Sequence, residues 1–350
     1  MISLLRAIVF GTAGGAFCYA IGVPAPWLAG SLMATIIAIY ANQKLDLPDS
    51  LRTLTFILLG VQTGTTVNAD TLERVARWPL SIFFFGTTVV LIVWGSTSYY
   101  VRFRNWDKPT ALFASLPGAL SLVILLAGST GADMRRVTVA QSVRVFFLIA
   151  ALPVVIEYIS PVSTVAISTA TITDFYELLL LVAASAAAGL LFARLKIPAG
   201  LLLGAALASA ALGLGGIVHG AAPNSILIPA NIILGVMIGL RFTGISLSEL
   251  RAAFSDGFAG FIIAMVIAMA GAVVTSAVAD LPLALTLLAF SPGGLEAMTI
   301  MAFALNLDPA YVAAHQIARY IGLVLFVPAV TGFVLHRSVA LNEDVDVEKD

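Results

Sequence analysis

Residues 289–319 read AFSPGGLEAMTIMAFALNLDPAYVAAHQIAR, and the earlier stretch 114–144 reads ASLPGALSLVILLAGSTGADMRRVTVAQSVR. Both stretches carry a Pro-Gly pair followed by an Asp, a Gln and an Arg at matching positions. The matched residues are Pro117, Gly118, Asp133, Gln141 and Arg144 in the first stretch and Pro292, Gly293, Asp308, Gln316 and Arg319 in the second. Chance can align Gly and Pro in a Gly-rich chain, but it does not align Asp, Gln and Arg at one fixed shift. The pattern therefore predicts an internal duplication.

The match continues outside these two stretches and divides the chain. The aligned residues, at shifts of 174 or 175, are Gly15, Pro24, Gly30, Gly60 and Gly64 with Gly189, Pro198, Gly204, Gly235 and Gly239. We predict a first membrane repeat at 1–157, a linker at 158–176, a second membrane repeat at 177–335 and a polar C-terminal tail at 336–350.

The composition is that of a membrane protein. Hydrophobic residues make up 60% of the 350 residues, charged residues make up 11%, and the mean hydropathy is +1.03. A soluble domain carries about a quarter charged residues. Long apolar runs without alternation predict an all-α integral membrane protein, because lipid leaves every backbone polar group to be satisfied internally. The apolar segments are 5–23, 27–42, 51–67, 78–100, 109–131 and 135–157, then 177–193, 199–218, 225–242, 256–279, 282–306 and 310–335.

The distribution of Lys and Arg indicates how these segments cross the membrane. If all of them crossed, the positive charges would divide equally between the two sides, against the positive-inside bias. If 109–131 and 282–306 each enter and leave on one side, fourteen of the eighteen Lys and Arg residues become cytoplasmic. We therefore predict two inverted repeats with about ten spanning helices and two broken or re-entrant segments. The predicted location is the cell (inner) membrane, with both termini cytoplasmic; a kinked full span of each interrupted segment is the alternative.

Two arginines are predicted to lie near the middle of the bilayer. Arg144 and Arg319 each follow an Asp by eleven residues, which is roughly 16 Å along a helix. Asp133 and Asp308 are predicted to cap the helices that follow them. Each Arg has two interpretations: it donates to the freed carbonyls of the broken segment and locks the repeat, or it binds an anion. In the second case Gln141 and Gln316 complete the site together with the interrupted backbone at Pro117, Gly118, Pro292, Gly293 and Gly294, where the glycines expose N–H groups.

Two further residues differ between the halves and are candidates for ion coupling. Glu296 follows Pro292-Gly293-Gly294, where the first half has Ser121. Desolvation disfavours its charged form, so it either carries a proton, binds a cation or forms an ion pair with Arg319 or Arg144. His315 replaces Ala140; it either changes charge near neutral pH or is simply hydrogen-bonded.

Several classes of function are not supported. The net charge of −1 gives no basic surface for direct nucleic-acid binding. The single Cys18 and three widely separated histidines provide no metal-ligand spacing, and neither a catalytic triad nor a nucleotide-binding loop is present. We therefore expect no cofactor, no metal and no enzymatic activity.

The motifs PGAL…D…Q..R and SPGGLEAM…LDP..V..HQ..R, with VPAPWLAG and IPAGLLLG opening the halves, resemble the AbrB membrane-protein family. The resemblance covers residues 5–335, and the first-half copy departs from the second at Ala119 and Ser121. It implies a duplicated integral membrane protein linked by name to regulation of gene expression, and it supplies no substrate or catalytic residues. The family is also labelled an ammonia monooxygenase, which would require clustered metal ligands that this sequence lacks.

These observations predict a secondary transporter of a small anionic organic solute, with the site at the interface of the repeats and an indirect influence on gene expression. The alternative is a membrane sensor that regulates expression without moving a solute. The predicted partners are the solute and the lipid bilayer, and the oligomeric state is left open.

Overall fold

The computed structural model describes residues 2–67, 78–117, 130–159 and 174–323, except for the single residues 198, 221 and 306. Within these ranges the regular secondary structure is helical. The helices are α1 (Ile2–Ala20), α2 (Pro26–Tyr40), α3 (Asp49–Gly64), α4 (Trp78–Arg104), α5 (Lys108–Ser115), α6 (Met134–Ile159), α7 (Phe175–Arg194), α8 (Gly200–Leu214), α9 (Asn224–Gly239), α10 (Leu247–Ala279), α11 (Leu283–Phe290), α12 (Leu295–Ala304) and α13 (309–323). A 3-10 turn, Leu240–Phe242, follows α9.

Six helical segments in the described ranges are long and apolar enough to cross a bilayer. They are Ile2–Ala20, Trp78–Arg104, Met134–Ile159, Phe175–Arg194, Asn224–Phe242 and Phe254–Ala279. Large apolar side chains are exposed on several of them, including Phe83, Trp94 and Val266. Such surfaces suit contact with lipid, so the helices are consistent with a multi-pass membrane protein, as the composition predicts.

The helix boundaries recur along the chain at the spacing found in the sequence. Helix α9 begins and ends 175 residues after α3 begins and ends, and α11 is related to α5 by the same shift. The residues before α2 and α8, Ala25 and Ala199, both adopt the left-handed conformation, with φ of 50° and 51°. Local backbone geometry thus follows the matched sequence positions.

Helices from the two halves of the chain pack closely against each other. Helix α3 packs on α8, and α2 packs on α9. A Cβ atom on Gly60 would lie 2.5 Å from the carbonyl oxygen of Leu202, and one on Gly235 would lie 2.5 Å from that of Leu28. Glycine is needed at both crossings because only a residue without a side chain permits this approach.

The segment 282–306 is broken, as predicted. Helix α11 ends at Phe290, the backbone is extended at Ser291 and Gly294, and α12 starts at Leu295. Most residues from Ala284 to Ala302 are buried, so the break lies inside the bundle. In the first half α5 ends at Ser115 and the backbone is extended at Leu116; Gly118 lies outside the described residues.

The Asp that precedes the last helix of each half caps it, as predicted. The side chain of Asp133 accepts bonds from the backbone N–H groups of Arg135 and Arg136, at 3.0 and 3.2 Å. Asp308 accepts from Ala310 and Tyr311 at the same two distances. These bonds satisfy N–H groups that have no partner within the helix.

Candidate functional site

The duplicated Gln and Arg of the second half reach the end of α11. Gln316 donates from Nε2 to the carbonyl oxygen of Ala289, at 2.9 Å. Arg319 donates from Nη1 to the carbonyl oxygen of Ser291, at 3.5 Å, and from Nη2 to that of Gly293. Both side chains are almost fully buried, with 1% and 6% of their surface exposed. They bond carbonyl groups at the helix break, of which that of Ser291 also accepts from the backbone N–H of Gly293, at 2.8 Å.

The first half repeats this arrangement at the end of α5. Gln141 donates from Nε2 to the carbonyl oxygen of Phe113, at 2.9 Å. Arg144 donates from Nη1 to Ala114 and from Nη2 to Leu116, at 3.5 and 3.1 Å. These are the contacts expected if each Arg donates to carbonyl groups of the broken segment and so locks the repeat.

One nitrogen of each guanidinium group is left over. The Nε atoms of Arg144 and Arg319 are buried without a hydrogen-bond partner among the described residues. Each Nε–H could therefore donate to an anion, as the anion-binding hypothesis requires. The two Nη atoms of each arginine already donate to carbonyl oxygens.

Pro117 and Pro292 are buried beside the arginines, and Gly293 is buried with Pro292 in the break. A Cβ atom on Gly293 would lie 2.6 Å from Sδ of Met298. Gly294 precedes α12 and has no capping side chain. The N–H groups at the start of α12 are therefore not bonded by a capping side chain.

Glu296 occupies the first turn of α12 and is partly exposed. The ion pair with Arg319 or Arg144, one of the three alternatives for Glu296, is not among the ion pairs of the described residues, and both guanidinium groups bond carbonyl oxygens. Glu296 makes no ion pair with any other described residue. It lines a cavity instead.

That cavity has a volume of about 280 Å³ and lies where α3, α6, α9, the 3-10 turn and α12 meet. Its charged walls are Arg52 of α3, Arg241 of the 3-10 turn and Glu296 of α12. Gly294 lies at the same end as Glu296. The remaining lining residues are apolar: Phe56, Val145, Leu234, Met237, Ile238, Leu240 and Ala297.

Arg52 and Arg241 were not predicted from the sequence as candidate site residues. Both were counted only among the loop charges that indicate the topology. Neither residue has a matching Arg in the other half, where Leu227 and Thr66 occupy the aligned positions. A search for charges near the ends of apolar segments would have found them.

His315 belongs to a buried hydrogen-bond network. Its Nδ1 lies 2.8 Å from the carbonyl oxygen of Tyr311, and its Nε2 lies 2.7 Å from Oγ of Ser81. The hydroxyl of Tyr311 donates to the same Oγ, at 3.0 Å. A neutral imidazole that donates from Nδ1 and accepts at Nε2 satisfies all three contacts. The ion-coupling role of His315 stays a prediction.

Within the described ranges, no three His, Cys, Asp or Glu residues are grouped so that they could hold a metal ion. The polar side chains at the break between α11 and α12 and in its cavity are those of Gln316, Arg319, Arg52, Arg241 and Glu296. Such groups bind charged or polar small molecules through hydrogen bonds and ion pairs.

The long apolar helices and the buried helix break define a helical protein of the multi-pass membrane class. The chain belongs to the AbrB family: the family described as transition state regulatory protein AbrB matches residues 27–335.

Two curated proteins are similar over nearly their whole length. One, from Escherichia coli (strain K12), is named "Putative regulator AbrB"; it is 27% identical over 343 residues, covering 95% of this chain and 94% of that protein. The other, from Bacillus subtilis (strain 168), is named "Uncharacterized protein YhjN"; it is 27% identical over 352 residues, covering 92% and 90%.

Proposed function

We propose that this protein is a secondary transporter of a small anionic organic solute. The observation that carries the proposal is the interrupted pair α11 and α12, buried in the bundle, whose break opens on a cavity with Arg52, Arg241 and Glu296 in its walls. Interrupted helices in paired halves are characteristic of transporter binding sites. The protein acts without a cofactor or a covalent reaction.

The proposal includes two inverted repeats in the inner membrane, with both termini in the cytoplasm. The recurrence of helix boundaries at the positions that the sequence match pairs supports duplication. The exchange of partners, α3 with α8 and α2 with α9, supports a two-fold relation between the halves. Relative rocking of two such halves would expose a site at their interface to each side of the membrane in turn.

Flux in proteoliposomes tests the proposal. The purified full-length protein is reconstituted, and uptake of small radiolabelled carboxylates is followed under an imposed pH or sodium gradient. We expect accumulation of at least one carboxylate above that in protein-free liposomes. The variant Glu296→Gln, which removes titration and keeps the shape, should lose net proton-driven uptake and retain solute exchange.

A membrane regulator without transport is the second candidate. The name of the Escherichia coli relative favours it, and it requires no direct contact with nucleic acid. Absence of flux across the panel, together with altered gene expression when the chain is deleted from cells, would favour this role over transport.

A further inference from the structure

The cavity at the start of α12 is lined by three charged side chains, Arg52, Arg241 and Glu296, that form no ion pair with one another. Arg241 forms no ion pair or side-chain hydrogen bond with a described residue, and neither does Glu296. Arg52 has one contact, with the largely exposed Asp49, at 3.8 Å. The Nε atom of Arg52 is buried and lacks a hydrogen-bond partner among the described residues.

Unpaired charges at this place need an explanation. Arg241 is exposed in the last turn of the candidate span Asn224–Phe242, Arg52 and Glu296 are half-buried, and the break before Glu296 lies inside the bundle. A charge in a membrane segment is costly and normally faces a partner or a water-filled cavity. Two guanidinium groups and a carboxylate around one cavity therefore make it suitable for a charged occupant.

The balance of charge gives the sign of that occupant. Two guanidinium groups and one carboxylate leave a net positive wall. The uncapped N–H groups that begin α12 add partial positive charge at the same end. The cavity therefore attracts a negatively charged ligand.

The shape and chemistry of the walls give the class. A cavity of about 280 Å³ is near the lower limit of pockets that hold small molecules. A planar guanidinium group matches a carboxylate through two parallel hydrogen bonds. The apolar side chains of Phe56, Leu234 and Met237 can cover the carbon skeleton of the ligand. A ligand that is charged at one end only fits these walls.

We propose that this cavity binds a small monocarboxylate between Arg52 and Arg241, and that Glu296 takes up a proton from solvent when the ligand binds. An ionised Glu296 in the same cavity would repel the carboxylate, whereas the protonated side chain can donate a hydrogen bond to it. The charged groups near Glu296 are Arg52 and Arg241, which line the same cavity, and Arg319 of α13, which interacts with it electrostatically. The inference rests on the transport proposal and deepens it by naming the substrate class.

Calorimetric titration of the full-length protein in nanodiscs tests the site without requiring flux. The probes are butyrate and benzoate, each with its neutral amide, butyramide and benzamide, as a matched control. We expect the acids to bind at least tenfold more tightly than the amides, and more tightly at pH 5.5 than at pH 8. Titration in two buffers of different ionisation enthalpy should show about one proton taken up per bound acid.

Three variants assign the effect to residues. Arg241→Gln should weaken binding of the acids at least tenfold, and Arg241→Lys should weaken it less. Glu296→Gln should bind the acids equally at both pH values and take up no proton. Arg251→Gln, at an exposed position that does not line the cavity, should behave as the wild type. A thermal melt of each variant checks that it is folded.

The results that would overturn the proposal are specific. They are absence of acid binding, equal affinity for acids and amides, or undiminished binding by folded Arg241→Gln and Arg241→Lys. Proton uptake that persists in Glu296→Gln would remove that residue from the coupling. Acid binding without liposome flux would support this site and refute transport. Flux that Arg241→Gln does not change would support transport and refute this site.

Discussion

At the scale of single residues, one side-chain type serves in two environments. Arg144 and Arg319 bond the carbonyl groups freed where α5 and α11 end. Arg241 faces a cavity without a partner among the described residues. The duplicated arginines therefore bond carbonyl groups at the ends of α5 and α11, whereas the unduplicated Arg241 lines the cavity that we propose binds a ligand.

The variant Arg319→Lys tests the first role. A Lys ammonium lacks the planar fork that spans the carbonyl groups of Ser291 and Gly293. The carbonyl oxygen of Ser291 also accepts from the backbone N–H of Gly293, at 2.8 Å, so the oxygen of Gly293 is the one that should lose its donor. An unsatisfied buried acceptor costs about 1–3 kcal/mol. We expect a lower melting temperature and nearly unchanged carboxylate affinity, measured by thermal unfolding and calorimetry of the same preparation.

The control for this variant is Arg251→Lys, the same change at an exposed position, which should leave the melting temperature unaltered. If Arg319→Lys keeps its melting temperature and loses carboxylate affinity selectively, Arg319 is a ligand-binding residue and the holding role is wrong.

The two groups of arginines were unequally predictable from the sequence. Repetition at a fixed shift singled out Arg144 and Arg319, and helix geometry placed them near the bilayer middle. Neither the repetition nor the helix geometry shows whether the partner of these arginines is a carbonyl group or a ligand, because a residue in either role would be duplicated. Arg241 gave no such signal, since its place in the cavity depends on contacts between α3, α9 and α12 that are distant in sequence.

At the scale of elements, the helix crossings depend on glycine. In Gly235→Ala, the new Cβ would lie 2.5 Å from the carbonyl oxygen of Leu28 and overlap Oγ of Ser31. Overpacking of this kind costs about 1–3 kcal/mol, which outweighs the gain of up to about 1 kcal/mol in helix propensity. We expect a lower melting temperature in detergent.

The matched variant is Gly86→Ala in α4, where a Cβ would meet no atom within 4 Å. Its melting temperature should stay the same or rise slightly. Equal effects of the two substitutions would show that the crossing of α2 and α9 tolerates a side chain.

Element boundaries were predicted well where composition changes sharply. The apolar segment predicted at 225–242 matches α9 and its 3-10 turn, Asn224–Phe242. The segment predicted at 256–279 begins earlier, at Leu247, because Ser246 and Glu249 form a capping box that extends α10 beyond the apolar residues. Hydropathy does not detect a polar first turn, so the error lies at that end.

At the scale of the whole molecule, the account requires the two halves to cross the membrane in opposite orientations. In that arrangement the interrupted segment of one half enters from the cytoplasm and that of the other from outside. Arg52 and Arg241 would then lie on the cytoplasmic side of the cavity, and Glu296 deeper in the membrane.

Labelling of single cysteines from outside intact cells tests this arrangement most directly. With Cys18 replaced, one cysteine is placed at position 135, 165 or 195, and a membrane-impermeant maleimide is added. We predict labelling at 165, in the linker, and protection at 135 and 195 until the cells are opened. Labelling at 135 together with 165 would contradict the inverted arrangement.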